Sequence, residues 1–172
     1  MTAAVDQYDY ILPSPIGMLG LNVSAKGIQC LSYINSKHQP IIPKQGLAAK
    51  VHKQINEYFQ LTRTQFDLPI DVTGTEFQEK VWRQVDKIAY GESLTYGEIA
   101  KAIHSGPRAV GNACRKNPIP IIIPCHRVVK KTGMGGYCGS LAGKEIQQKD
   151  WLLRHESNAD SEHMLFDLYS ES

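Results

Sequence analysis

The chain has 172 residues, of which 42 % are apolar and 21 % charged, a composition that excludes a disordered or collagen-like protein. It contains no run of about 18 apolar residues, so the sequence predicts no membrane-spanning helix. Residues 1–10 lack the basic and apolar regions of a secretion signal. None of the four cysteines belongs to a Cys-x-x-Cys pair, so we expect reduced thiols and a cytoplasmic protein.

The charges are unevenly distributed, although the net charge of +2 is too small to indicate a partner. Positions 101–144 contain eight Lys or Arg and no Asp or Glu. The residues after His155 show the reverse, with five Asp or Glu and no Lys or Arg. This asymmetry is typical of a polyanion site, but a basic solvated surface gives the same pattern. Charge alone leaves both interpretations open.

The first third of the chain is expected to form strands. Three β-rich runs predict a short antiparallel sheet: 8–12, 18–23 and 28–34. Apolar residues at helical spacing predict one helix over 47–61, and alternation over 66–70 predicts a last edge strand or an extended linker. A boundary follows at 71–74, so the predicted domains are 1–72 and 73–172.

The second domain is expected to be mostly helical. Thr75 with Gln78, and Thr95 with Glu98, have the spacing of a capping box at a helix start. Pro107 suits the first turn of another helix, which ends before residues 117–118. The last two helices form a helix-turn-helix pattern whose second helix carries basic residues, a pattern that many enzymes also contain.

Residues 119–129, IPIIIPCHRVV, are the segment most suggestive of chemistry. The run predicts a buried, strand-like segment that delivers Cys125 to a fixed place. A thiol is a weak nucleophile until it ionises, and we expect the neighbouring His126 and Arg127 to lower its pKa. An isolated cysteine is more often an inert apolar side chain, which is our interpretation of Cys30.

The motif Pro124-Cys125-His126-Arg127-Val128 resembles the active-site motif of the O6-alkylguanine-DNA alkyltransferases. Similar matches extend over nearly the whole chain: Ser14-Pro15-Ile16-Gly17, Gly74-Thr75, Thr95-Tyr96, Arg108-Ala109-Val110-Gly111, Asn117-Pro118, Gly136-Tyr137, Trp151-Leu152-Leu153 and His155-Glu156. The resemblance implies an α+β protein. Its N-terminal domain would be a small antiparallel sheet with a helix, ribonuclease H-like, and its C-terminal domain mostly helical with a helix-turn-helix.

The resemblance also implies a single-turnover DNA repair enzyme. In this family the cysteine irreversibly accepts the alkyl group of O6-alkylguanine, and we expect O4-alkylthymine to be a substrate too. Cys125 would be the acceptor, with His126 as a general base acting through a water molecule and Glu156 orienting it. Tyr96 would protonate the leaving guanine at N3, and Asn117 would hold the active-site turn.

Double-stranded DNA is the implied partner, because a guanine must leave the base stack before its O6 can reach a buried thiol. Arg108 would take the vacated place in the duplex, while its helix lies in the minor groove. The implied DNA contacts are Thr95, Lys101, Arg108, Ala109, Gly111, Arg115 and Lys116. The implied base pocket consists of Cys114, Val128, Tyr137, Cys138 and Lys149.

Some features depart from the family pattern. Cys138 stands where the family often has serine or another small residue, and its role is open. Extra residues before Lys149 leave open whether Lys144 or Lys149 lies at the pocket. Neither metal nor cofactor is expected, since the first domain offers only Cys30 and scattered histidines. We expect a monomer.

Three other function classes compete with this prediction. A non-catalytic alkyltransferase-like protein would recognise damaged bases but lacks the acceptor cysteine, which Cys125 provides here. A Cys–His hydrolase needs an oxyanion hole and leaves the helix-turn-helix and Arg108 unexplained. A transcription factor leaves Cys125 and His126 unexplained.

Overall fold

The computed structural model describes residues 7–35, 37–139 and 143–157. Its internal contacts separate into two units, Met1–Val72 and Thr73–Ser172. Within the described ranges, none of the helices has the length and apolar character needed to cross a membrane. The C-terminal segment 158–172, for which the sequence shows no family motif, lies outside the described residues.

The first unit contains a three-stranded antiparallel sheet and one helix. Its strands are β1 (Tyr10–Leu12), β2 (Met18–Val23) and β3 (Ile28–Ile34), in the spatial order β1-β2-β3, and its helix is α1 (Gly46–Phe59). The helix contacts β2, and Leu19, Leu21, Val51 and Ile55 are fully buried between them and their neighbours. The predicted sheet and helix are confirmed.

Of the two alternatives for residues 66–70, an edge strand or an extended linker, the structure shows the linker, with no strand in this range. Only a single parallel bridge joins Ile28 to Ile70, where Ile28 N donates to Pro69 O at 2.9 Å. Proline has no N–H to continue a ladder, so the pairing goes no further than this bridge.

The second unit is mostly helical, as predicted. Its elements are α2 (Glu76–Asp86), β4 (Leu94–Thr95), α3 (Tyr96–Ala102), α4 (Pro107–Arg115), a 3₁₀ turn (Cys125–Arg127), β5 (Val128–Val129) and α5 (Lys144–Ser157). Both predicted capping boxes are formed, at Thr75 and at Thr95. Trp82 Nε1 donates to Ala113 O at 2.9 Å, which ties α2 to α4 and so positions the second helix of the helix-turn-helix.

The apolar run 119–129 is buried as expected, but it is not a strand except at its end. Its backbone turns, with Ile123 N donating to Ile119 O at 3.0 Å and Ile121 in the left-handed region at φ 74°. Pro120 and Pro124 have no N–H to offer a neighbouring strand. Only β5 pairs, in parallel with β4. The segment therefore reaches Cys125 as a buried turn.

Candidate active site

Cys125 lies at the start of the 3₁₀ turn, on the wall of a cavity of about 910 Å³. Only 6 % of the residue is exposed. Its own N–H donates to Ile123 O at 2.8 Å, and Arg127 N donates to Pro124 O at 2.9 Å. These two short-range bonds hold the turn in a shape that presents the sulfur to the cavity.

Asn117, just beyond α4, fastens this turn through three hydrogen bonds. Its Nδ2 donates to Ile123 O at 2.8 Å and to Cys125 Sγ at 3.1 Å, and its Oδ1 accepts from Ile119 N at 3.0 Å. The side chain thus joins both ends of the turning segment to the end of α4. This geometry suits the positioning role expected for Asn117.

Behind the turn, Glu156 of α5 binds two side chains that follow Cys125. The distance from His126 Nε2 to Glu156 Oε1 is 2.7 Å. Arg127 donates from Nε to Oε2 and from Nη2 to Oε1, both at 2.8 Å, and from Nη1 to Ile88 O at 2.6 Å. The three side chains are nearly inaccessible to solvent, at 0 % for His126, 8 % for Arg127 and 1 % for Glu156.

This network defines the proton positions on the histidine. Burial would raise the pKa of Glu156, but its bonds to His126 and Arg127 lower it well below the usual range, so the carboxylate is ionised. Burial lowers the pKa of His126, against the opposing effect of Glu156. A neutral imidazole beside a carboxylate carries its proton on Nε2. His126 Nδ1, buried and without a partner among the described residues, is then the basic nitrogen.

The expectation that Arg127 and His126 lower the pKa of the Cys125 thiol is wrong. A hydrogen bond with Cys114, followed by burial and the charge of Cys114, raises that pKa well above its ordinary value, and the bond from Asn117 lowers it only in part. Arg127 is engaged with Glu156 instead. The resting Cys125 thiol is therefore protonated.

Aromatic and small side chains shape the cavity around Cys125. Tyr96, Gly111, Cys114, Tyr137 and Cys138, all predicted site residues, line it, as does Thr95. Tyr96 Oη donates to Gly136 O at 3.4 Å. Burial, with the charges of Cys114 and Cys125, raises the pKa of Tyr96 to about 12, so the phenol keeps the proton that the predicted role requires.

Of the two candidate lysines, Lys149 is fully buried behind the wall of the cavity, whereas Lys144 is exposed. Lys149 Nζ donates to Val128 O at 2.6 Å and to Gly136 O at 2.9 Å, and burial lowers its pKa to about 8. Neither Lys149 nor Val128 is among the cavity's lining residues, in contrast to the prediction. By donating to the backbone carbonyls of Val128 and Gly136, the Lys149 side chain links the two segments that carry them, behind the cavity wall.

The predicted DNA-contacting residues lie at the end of β4, on α3, on α4 and just beyond α4. Arg108 and Arg115 are exposed and line the cavity mouth, whereas Lys101 and Lys116 are exposed outside it. Ala109 is half-buried and does not line the cavity. The basic side chains are thus placed on the accessible side of the helix-turn-helix.

Sequence reasoning gave Arg127 the wrong partner and missed the two lysines at the cavity, Lys130 and Lys131. Arg127 was expected to act on Cys125, but its role as a partner of Glu156 had no signal because the two are 29 residues apart. Lys130 and Lys131 belong to the basic stretch, yet only the structure places them at the cavity. In the part of the chain that the structure describes, no group of three His, Cys, Asp or Glu is arranged to hold a metal ion.

Comparison with known proteins identifies the family. The sequence model of the 6-O-methylguanine DNA methyltransferase, DNA binding domain, matches residues 76–158. The methylated-DNA–protein-cysteine methyltransferase of Methanosarcina barkeri is 40 % identical over 159 residues, which cover 88 % of this chain and 97 % of the relative. This chain belongs to the methylated-DNA–protein-cysteine methyltransferase family.

Solved structures of the family share the fold. The crystal structure of Mycobacterium tuberculosis O6-methylguanine methyltransferase is 37 % identical, with a TM-score of 0.75, and the match covers 87 % of this chain and 93 % of that one. Mycobacterium tuberculosis OGT, crystallised in complex with DNA, is 36 % identical with a TM-score of 0.75, and the match covers 91 % and 97 %. The α+β class and the family resemblance are therefore confirmed.

Proposed function

We propose that this protein is a single-turnover DNA repair alkyltransferase that moves the alkyl group of O6-alkylguanine, and of O4-alkylthymine, from DNA to its own Cys125. The observation that carries the proposal is the position of Cys125 on the wall of a cavity that opens between the basic residues of the helix-turn-helix. Relatives at about 40 % identity are named methylated-DNA–protein-cysteine methyltransferases, which supports the same reaction.

The chemistry follows from the groups around the sulfur. Displacement at an alkyl carbon needs a soft anionic nucleophile, which a thiolate supplies. His126 acts as general base from Nδ1 through a water molecule, and Glu156 holds its ring and tautomer. The C–S bond forms as the C–O6 bond breaks, and its electron pair stays on the guanine. Tyr96 delivers a proton to N3, so that a neutral base leaves.

DNA binding follows from the helix-turn-helix. The exposed Arg108 takes the place of the flipped base in the duplex, and Ala109 and Gly111 are small enough for α4 to enter the minor groove. Arg115, Lys101 and Lys116 contact phosphates, so affinity decreases as the salt concentration increases. The DNA complex of a relative supports this partner.

The alternative, a non-catalytic alkyltransferase-like protein, is not favoured, because such proteins lack the acceptor cysteine that Cys125 provides. We further propose that the protein acts as a cytoplasmic monomer without a metal or cofactor. The domain division 1–72 and 73–172 belongs to the same proposal and is supported by the separation of contacts at Val72.

The test is a mass measurement on the whole protein. Incubation with duplex DNA carrying O6-methylguanine should add one methyl group to Cys125, and Cys125→Ser should gain nothing. A duplex with unmodified guanine is the matched control. Repeated turnover of the lesion, or an unchanged mass after long incubation, would overturn the proposal.

A further inference from the structure

The proposed function uses only part of the basic stretch between positions 101 and 144. Four of its eight Lys and Arg belong to the helix-turn-helix or follow it directly: Lys101, Arg108, Arg115 and Lys116. Arg127 is buried against Glu156, and Lys144, at the start of α5, does not line the cavity. This leaves Lys130 and Lys131, which are both exposed and both line the cavity that contains Cys125.

The two lysines lie on a tight turn beside the helix-turn-helix, which we call the lysine turn (residues 130–133). The strand β5 before it pairs in parallel with β4, and Val129 lies opposite Thr95, the residue that caps α3. The chain then turns, with Gly133 N donating to Lys130 O at 3.3 Å. The pairing of β4 with β5 therefore fixes the lysine turn at a part of the cavity mouth that the helix-turn-helix does not itself supply.

The aliphatic part of Lys130 packs against the wall of the cavity. Gly135 has a φ of 79°, and a Cβ atom built on it would lie 3.3 Å from Lys130 Cγ and 3.1 Å from Tyr96 Cε2. The stem of Lys130 thus lies close to Gly135, on the side where Gly135 meets the Tyr96 ring. A lysine that packs its stem in this way keeps its ammonium group in water. The accessible charge of Lys130 is therefore held at the mouth of the cavity.

The charged side chains at this mouth all have the same sign. Those that line the cavity are Arg108, Arg115, Lys130 and Lys131, and no Asp or Glu is among the described lining residues. In the part of the chain that the structure describes, none of the four forms an ion pair with a carboxylate. Cations that surround one opening repel each other, and a bound polyanion relieves this repulsion.

We propose, on the basis of the alkyl transfer proposed above, that Lys130 and Lys131 bind the backbone phosphates on the two sides of the flipped nucleotide. A base leaves the stack by rotating about its own backbone, so its flanking phosphates come to the mouth of the cavity that receives the base. The helix α4 brings Arg108 and Arg115 to this mouth, and the lysine turn adds positive charge from a separate segment. A lysine binds phosphate as a point charge on a flexible stem, which suits a backbone that changes shape during flipping.

The salt dependence of equilibrium binding tests the phosphate contacts. Every protein carries Cys125→Ser, so that a duplex with one O6-methylguanine is bound without being consumed. The double variant Lys130→Gln/Lys131→Gln is compared with Lys87→Gln, which removes an exposed lysine at the end of α2 that does not line the cavity. Affinities are measured from about 50 to about 200 mM KCl. Melting temperatures verify that each variant is folded.

Each lost phosphate contact should reduce the slope of log affinity against log salt concentration by about 0.9, so the double variant should reduce it by about 1.8. The slope of Lys87→Gln should equal that of the protein with all its lysines. A double variant with an unchanged slope would overturn the proposal, because lysines that bind phosphates must release counterions.

A second duplex identifies which phosphates are bound. Uncharged methylphosphonates replace the phosphates on both sides of the O6-methylguanine, and the rest of the duplex is unchanged. The double variant should bind this duplex as tightly as the protein that has both lysines, because the phosphates that Lys130 and Lys131 bind are no longer charged. A double variant that weakens binding to both duplexes by the same factor would show that the lysines contact phosphates elsewhere, which overturns the proposal.

Single-turnover rates with Cys125 intact separate this proposal from the proposed function. The double variant should transfer the methyl group from dilute duplex more slowly than the wild type, but react with free O6-benzylguanine at the wild-type rate, because the free base has no phosphate. Equal losses on both substrates would show that the lysines shape the cavity instead, and wild-type rates on duplex would refute their role alone. A wild-type protein that accepts no alkyl group refutes the proposed function, while the binding measurements still decide the role of the lysines.

Discussion

Replacing Glu156 by glutamine should remove a large part of the stability of the C-terminal unit. The carboxylate accepts three buried N–H groups, from His126 at 2.7 Å and twice from Arg127 at 2.8 Å. Glutamine offers one oxygen instead of two and adds a donor. At least one N–H then loses its acceptor, and the guanidinium loses its counter-charge. Breaking one partner of a buried ion pair costs about 3–5 kcal/mol, and we expect a decrease of this size in the free energy of unfolding.

Urea unfolding followed by tryptophan fluorescence measures this change. Both tryptophans of the chain, Trp82 and Trp151, belong to the C-terminal unit, so their emission reports on it. Asp150→Asn is the matched control on the same helix. Its carboxylate contacts Arg154 Nε at 3.0 Å, but the two side chains are 43 % and 55 % exposed, so its loss should cost under about 1 kcal/mol.

The reasoning predicts a partial rescue as well. Arg127→Met in the Glu156→Gln background removes the unpaired buried charge and should recover part of the lost stability. Two results would refute this reasoning. One is a Glu156→Gln protein whose free energy of unfolding is no lower than that of Asp150→Asn. The other is a double variant whose free energy of unfolding falls below that of Glu156→Gln by as much as Glu156→Gln falls below the wild type.

Three further predictions concern pH, base flipping and the alkylated product. The folded-state pKa of Glu156 lies below its ordinary value of 4.5. The stabilisation that the Glu156 carboxylate provides should therefore be complete above pH 4.5 and decrease as the pH falls towards the folded-state pKa. Acid unfolding in which the wild-type protein keeps its full stability advantage over Glu156→Gln at about pH 3 would contradict this. Arg108→Ala should slow methyl transfer from duplex DNA by more than it slows reaction with free O6-benzylguanine, which needs no flipping, and equal losses in the two rate measurements would exclude the assigned role. Methylation of Cys125 should lower the unfolding free energy by about 1–3 kcal/mol, because the added group crowds a sulfur that Asn117 contacts at 3.1 Å; an unchanged urea midpoint would count against it.

Much of the fold followed from local sequence patterns. The runs 18–23 and 28–34 form strands with the predicted bounds, and the capping boxes at Thr75 and Thr95 start helices as expected. These features depend on interactions between residues a few positions apart, which can be predicted from the sequence. The run 119–129 was the exception, since apolar character predicts burial but does not distinguish a strand from a buried turn.

The sequence by itself determined the fold class, the start of each helix in the helix-turn-helix, and the motif that identifies Cys125 as the candidate nucleophile. Only the tertiary structure decided that Arg127 binds Glu156 and that Lys149 rather than Lys144 lies behind the pocket. The physical reason is distance along the chain. Capping and periodicity act within one or two turns, whereas buried ion pairs and hydrogen bonds between distant segments form only when the core is packed.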